Sequence, residues 1–414
     1  MSNVKGVFKC MLVSVFLLFS IHAWAQGPRG EEARILEELK MMKERIRVLE
    51  AELLELKAKG EEAGPPKAPS HYHPVKGLAD RVKRIEEEIG KRPVVGEWAE
   101  RIDVSGRIEV EANWSKTDYG AGGGDDRGSD ISLAMVELGL DVDISKHVGG
   151  HLLFLYEDGE GGVDVDEGFI ILDGKERVPF YLNAGKMYVP FGWYESHFIS
   201  DPLTLELGET NESGVRIGYA GKGFEISGVV FNGDVDERGE EDDHVDGWVL
   251  SLSYEASGGV LGDVGLMGGI SYINNIGESD GLEGEIVDGE IDDYVAGIGM
   301  FLSLSFKDVF FVEAEYVGAL DEFRAGELGF DGGEAYEPKA WNFEVAYKVM
   351  EWVELGMRYG GSDDGGDFLA ESQWGVVGRW EFFPGTTVAL EYLYSKFENH
   401  DKTHAITGQL AVEF

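Results

Sequence analysis

Several things are scarce in this 414-residue chain, and each scarcity excludes something. Cysteine occurs once, at Cys10, inside a leader expected to be removed, so a mature chain carries no thiol. Disulfides, thiolate metal sites and cysteine nucleophiles are thereby excluded. Long apolar runs are also missing. The best of them, Met11 to Ile21, is too short to cross a bilayer as a helix. Basic residues are few, 36 Lys and Arg against 79 Asp and Glu, a formal charge of -43 that repels nucleic acid and small anions. No Gly-x-Ser-x-Gly elbow, nucleotide-binding loop or paired-histidine zincin motif occurs, so no enzyme is expected. His71 and His73 stand in a proline-rich linker and read as linker polarity. The run Asp234 to Asp243 lacks EF-hand spacing and reads as a solvated acidic loop. Neither a metal nor a cofactor is expected.

What is present falls into four segments. Lys5 and Lys9, the short apolar stretch and Ala23-Trp24-Ala25 make residues 1–25 a secretory signal. Over residues 26–59, Ile35, Leu39, Met42, Ile46, Leu49, Leu53 and Leu56 alternate at spacings of four and three. This is a three-heptad coiled-coil seam or, alternatively, an amphipathic helix lying on another surface. As a coiled coil it is short enough to need the rest of the chain to raise its local concentration, and a homotrimer is the expected assembly. Residues 60–99 hold a Pro-rich linker and a second short helix marked by Leu78, Val82, Ile85 and Ile89. Charge is uneven: residues 93–414 carry 19 basic against 65 acidic residues, whereas residues 26–92 are nearly neutral.

From residue 100 to 414 the period changes to two. Ile102, Val104, Ile108, Val110, Ala112 and Trp114 alternate with polar residues, and the pattern recurs to Phe414. About 16 segments of this kind are present, each near the length of a tilted membrane-crossing strand. Short links alternate with long ones, among them Lys116–Gly128, Val189–Ser213, Asn275–Gly289 and Asp321–Glu337. Trp and Tyr stand at the ends of the apolar faces, where membrane interfaces favour them. The predicted fold is therefore an all-β transmembrane protein, an outer-membrane antiparallel barrel. Its short turns and the helical segment face the periplasm, and outer-membrane lipids and the assembly machinery are its partners. The final strand, Ile406 to Phe414, resembles the one that machinery recognises.

The most informative stretch is the long link after the fifth strand. It is apolar enough (Phe191, Trp193, Tyr194, Phe198, Leu203, Leu207) to fold against the barrel wall rather than project into water. Packed in the mouth, it would leave Glu195, Asp201, Glu206, Glu209 and Glu212 around an opening, with Trp193, Tyr194 and His197 beside them. The alternative is a loop that covers a neighbouring subunit or plugs a structural gap. Alternation places Arg107, Arg216, Arg358 and Arg379 on the inner face, because a guanidinium in lipid is costly. Glu109, Glu111, Glu313, Glu315, Glu344, Glu354 and Glu391 share that face. Either these arginines set a transverse field across an acidic opening or they pair with the glutamates and stiffen the wall.

The stretches Gly185-Lys-Met-Tyr-Val-Pro-Phe-Gly192 and Ile199-Ser-Asp-Pro-Leu-Thr-Leu-Glu-Leu-Gly-Glu-Thr210 resemble the LbtU family of siderophore porins. The resemblance implies a barrel preceded by a periplasmic coiled coil, related more distantly to phosphate-selective porins, and uptake of an iron chelate such as legiobactin. The lysine-rich eyelet of the phosphate-selective relatives is not evident here. The expectation is a passive pore for small solutes or a siderophore. The competing reading is an envelope-organising or adhesive barrel whose coiled coil is its working part.

Overall fold

The computed structural model describes residues 101–414 except 121–122, 160, 175–177, 240–244, 257–261 and 331–332. The signal, coiled coil, linker and second helix expected before residue 100 lie outside the described residues.

Sixteen antiparallel strands close into one barrel, each paired with its sequence neighbours and the last with the first. They are β1 (Ile102–Tyr119), β2 (Gly124–Ser145), β3 (Val148–Glu157), β4 (Val163–Asp173), β5 (Phe180–Tyr188), β6 (Asn211–Gly221), β7 (Phe224–Phe231) and β8 (Gly247–Glu255). The second half comprises β9 (Val264–Ile273), β10 (Gly297–Phe306), β11 (Phe310–Ala319), β12 (Lys339–Met350), β13 (Val353–Asp363), β14 (Ser372–Phe383), β15 (Thr386–Lys396) and β16 (Lys402–Glu413). β16 pairs with β1 from Arg107↔Glu413 to Asp118↔Lys402. Backbone bonds between Gly106 and Phe414 extend that seam. Closure removes the sheet edges that would otherwise pair with other chains.

Alternation decides which way each side chain points. Leu355, Met357 and Tyr359 on β13 face outward and are exposed, while Arg358 between them is buried inside. The same outer face carries Val215, Ile217, Leu250, Leu252, Met300, Leu302, Trp374, Val376 and Leu410, a continuous apolar belt. In water such a belt would be an aggregation surface; around a barrel it is what hydrocarbon demands.

One link differs from the sequence expectation. Lys116–Gly128, expected as a long loop, is a continuation of β1 and β2 paired to Tyr119↔Gly124. Lys116 reaches across to Asp125 at 3.9 Å, and each also pairs along its own strand, Lys116 with Asp118 and Asp125 with Arg127. The other long links fold inward and together. The segment after β5 carries helix α1 (Leu203–Gly208), and the segment after β9 carries helix α2 (Asp280–Glu283). Phe191, Leu203 and Leu207 meet Phe231, Val249, Ile276, Leu282, Val317, Phe323, Leu328, Phe330 and Leu369 in a dry core. That core fills the mouth on the β6–β13 side.

Candidate functional site

The link between β5 and β6, Val189 to Thr210, lies inside the barrel. Bare backbone on the wall makes room for it. A Cβ at Gly299 would sit 2.7 Å from Ser271 Oγ and 3.1 Å from Gly192 N, and one at Gly375 would sit 2.8 Å from the Phe198 ring. Gly192 N–H donates to Ser271 Oγ (3.0 Å), and Trp193 stacks on Phe301 of β10 at 5.1 Å.

Three wall glutamates then receive the loop's donors. Glu315 on β11 accepts from Trp193 N–H (2.6 Å), Tyr194 N–H (3.3 Å) and Thr204 Oγ1 (2.7 Å). Glu344 on β12 accepts from Ser196 Oγ (2.9 Å), His197 N–H (2.9 Å) and Arg358 Nε (2.8 Å). Glu391 on β15 accepts from Ile199 N–H (2.7 Å), Ser200 N–H (3.1 Å) and Ser200 Oγ (2.7 Å). His197 Nδ1 meets Glu354 of β13 at 2.8 Å. Arg358 completes the attachment: it donates to Ser196 Oγ (2.6 Å), Ser200 O (2.8 Å) and Asp201 O (2.9 Å), and lies 4.4 Å over the Phe198 ring. Hydrogen bonds to charged groups are the strong ones, so this ladder fixes the loop's path as well as its position.

Past Asp201, Pro202 cannot donate a backbone bond and stands at the N-cap of α1. Leu203 and Leu207 turn into the dry core, and Asp280 N–H of α2 donates to Glu209 O (2.8 Å). Beside the loop remains a cavity of about 490 Å³, lined by Arg107, Glu109, Met135, Gln409 and Arg379 on the wall and by Trp193, Glu195, Asp201 and Glu209 on the loop, among others. A second cavity of about 570 Å³ adjoins it at Tyr188, Leu205 and Glu209, and adds Glu157, Asp166, Lys186, Glu206 and Asp280. Carboxylates outnumber basic residues in both. Burial, reinforced by Asp280 and Asp201, pushes Glu209 up to about 8. Burial also raises Asp201, with Arg358 opposing, and raises Glu206.

The residues singled out from sequence therefore separate into groups. Trp193, Tyr194, Glu195, Asp201 and Glu209 line the first cavity with Arg107 and Arg379, and Glu206 lines the second. Glu315 and Arg358 stand behind the loop, in its attachment. Glu313 is bonded to Ser303 (2.9 Å), and His197 is held by Glu354. Arg216 pairs with Glu225 of β7 at 2.6 Å beneath Tyr181. Glu212 is not part of the loop: it is the second residue of β6, opposite Met187, because pairing of β5 with β6 resumes at Asn211. The four arginines thus do different things. Arg358, Arg216 and Arg107 are ion-paired, with Glu344, Glu225 and Glu413, while Arg379 reaches the His197 carbonyl at 3.5 Å.

Sequence reasoning missed the hydroxyls Ser196, Ser200 and Thr204, which link loop to wall, and Lys186, the lysine of the second cavity. It also missed Glu278, a buried carboxylate that accepts from Asp234 N–H (2.8 Å) and Asn275 Nδ2 (2.9 Å) to join two outer loops. Burial lifts Glu278 to about 7. Regular spacing of small hydroxyl residues within an apolar link was the available signal for the first group.

The barrel and its inward-folded loop define the class of fold, a porin-type barrel. No family model matches the chain. It is 28% identical over 322 residues to a UPF0422 protein of Coxiella burnetii (strain RSA 493 / Nine Mile phase I), covering 74% of this chain and 66% of that one. To a UPF0422 protein of Legionella pneumophila (strain Lens) it is 25% identical over 279 residues, covering 62% and 52%. The chain thus spans between half and two thirds of the length of these relatives. Among solved structures it is similar to the outer membrane channel DcaP of Acinetobacter baumannii (TM-score 0.51, 15% identity, 76% of this chain and 97% of that one). It is also similar to an anion-selective porin from Comamonas acidovorans (TM-score 0.53, 14% identity, 76% and 100%). At such identities the likeness establishes the fold alone.

Proposed function

We propose that the protein is an outer-membrane porin in which the loop Val189–Thr210 narrows the lumen and small solutes diffuse passively through the passage left beside it. The observation that carries this reading is the loop's attachment. Wall groups on β11 to β15 hold it on one side, and an open, polar cavity remains against β1, β2 and β16. A loop used to cover a neighbouring subunit would not need a ladder of bonds to its own wall.

Selectivity follows from the lining. Glu195, Asp201 and Glu209 face Arg107 and Arg379 across the first cavity, and Glu206 continues the acidic surface into the second. With 65 acidic against 19 basic residues from 93 onward, cations and neutral polar solutes are favoured over anions. A ferric siderophore is the specific solute suggested by the resemblance to the LbtU family. A homotrimer with the heptad segment as a periplasmic spacer is the proposed assembly, tested by cross-linking with and without residues 26–92.

Liposome swelling tests the function. Proteoliposomes should swell in arabinose and in lysine hydrochloride, more slowly in sodium glutamate. Failure to swell in any solute refutes the porin reading. Growth of a deletion strain on a ferric chelate as sole iron source tests the siderophore separately.

A further inference from the structure

Basic residues on the long-loop side of the barrel are few, and their placement is uneven. Arg238, Arg324 and Lys339 are tied to carboxylates of the outer loops. Lys116, Arg127, Lys396 and Lys402 instead occupy ladder positions on β1, β2, β15 and β16, four strands adjacent across the closure seam. The register makes them contiguous: Arg127↔Lys116, Lys116↔His404, Asp118↔Lys402 and Lys396↔Lys402. They share the face that carries Ile131, Leu133, Val110, Leu410 and Leu390, all exposed on the lipid side.

Aromatic rings continue the same patch. Tyr394 pairs with His404 at a ring distance of 5.0 Å, Trp374 with Tyr394 at 5.8 Å, and Tyr392 shares a hydrogen bond of 2.8 Å with His404 Nδ1. Trp and Tyr in such positions mark the height of the membrane interface. Lys116, Arg127 and Lys396 are each steadied by a carboxylate, Asp118, Asp125 or Glu371, which leaves further donors on each. Among the described residues Lys402 has no carboxylate within ion-pair distance.

We propose that this outward patch of Lys116, Arg127, Lys396, Lys402 and His404, backed by Trp374, Tyr392 and Tyr394, binds the phosphorylated headgroup of an outer-leaflet lipid. Charge complementarity argues for that occupant. On a strongly acidic barrel a lipid phosphate would be repelled almost everywhere else, and cations at headgroup height attract it. Aromatic rings beneath would pack on the first acyl carbons. The proposal rests on the outer-membrane reading but not on conduction.

Native mass spectrometry of the full chain in detergent tests it, with bis-phosphorylated lipid A, its dephosphorylated form and inorganic phosphate as probes. The expected result is a retained adduct with the phosphorylated lipid, at least tenfold less with the dephosphorylated form, and none with phosphate. The double variant Lys116→Ala/Lys402→Ala should lose binding about tenfold, and Lys307→Ala, at a short turn on the opposite rim, should retain it. Equal binding of both lipids, equal binding of free phosphate, or full retention by the double variant would overturn the proposal. So would a change of oligomer size in that variant with lipid binding intact, since the patch would then be a subunit contact. Swelling assays on the same samples read the pore independently, so one reading can fail without the other.

Discussion

Removing Arg358 should release the loop. Its side chain is wholly buried, salt-bridged to Glu344, and donates to two loop carbonyls and two loop hydroxyls. Arg358→Met keeps much of the volume, including the contact with Phe198, but leaves Glu344 buried with one partner fewer. Breaking a buried pair from one side costs about 3–5 kcal/mol. If that loss falls on docking, the undocked population rises roughly 10²- to 4 × 10³-fold. Single-channel recording in a planar bilayer reads this directly, because an intermittently undocked loop adds flicker and a wider sublevel. Glu344→Met removes the acceptor of Ser196 Oγ and His197 N–H as well as the partner of Arg358, and should add flicker of the same kind. A folded Arg358→Met barrel with unchanged conductance and noise would refute the idea that the ladder holds a constriction.

Three further outcomes follow. Gly375→Leu puts a side chain where the Phe198 ring lies, so the loop's middle should shift; proteolytic nicking near Ser196–Ser200 should rise while the heat-modifiable gel mobility of the barrel persists. Glu209, raised to about 8, is roughly nine-tenths protonated at pH 7 and ionised by pH 9, whereas an unfolded glutamate ionises near 4.5. A raised carboxyl disfavours the docked loop progressively from pH 4.5 up to 8, and its ionisation adds a negative charge to the passage. Cation preference should therefore rise between pH 6 and 9, and Glu209→Gln should abolish that rise. Met357→Lys, on the lipid face beside Arg358, should destabilise the barrel by about 2–4 kcal/mol in a folding titration, while Ser303→Lys on the inner face should cost far less.

Much of this architecture is legible in the alternation of residues. Met357, Arg358 and Tyr359 show why: with one face in hydrocarbon, a side chain's parity fixes its environment, so the inner position of Glu315, Glu344 and Glu391 could be read directly. What those glutamates do could not. Their partners are backbone N–H groups of a segment more than 100 residues earlier in the chain, and period-two patterning carries no information about such contacts. The dry core of Leu207, Ile276, Leu328 and Phe330 was hidden for a similar reason, since it joins several loops that have no common period. The extension of β1 and β2 through Lys116–Gly128 was obscured by glycines and aspartates, which signal turns although strand pairing continues to Tyr119↔Gly124. Glu212 follows an apolar link and so reads as its continuation, although pairing of β5 with β6 has already resumed at Asn211.

The central claim, a water-filled passage in which carboxylates outnumber basic residues, is tested most directly by the reversal potential of the reconstituted barrel under a potassium chloride gradient. A steady ohmic conductance with a reversal potential shifted toward that of potassium is the predicted result. No conductance, or a shift toward chloride, would contradict it.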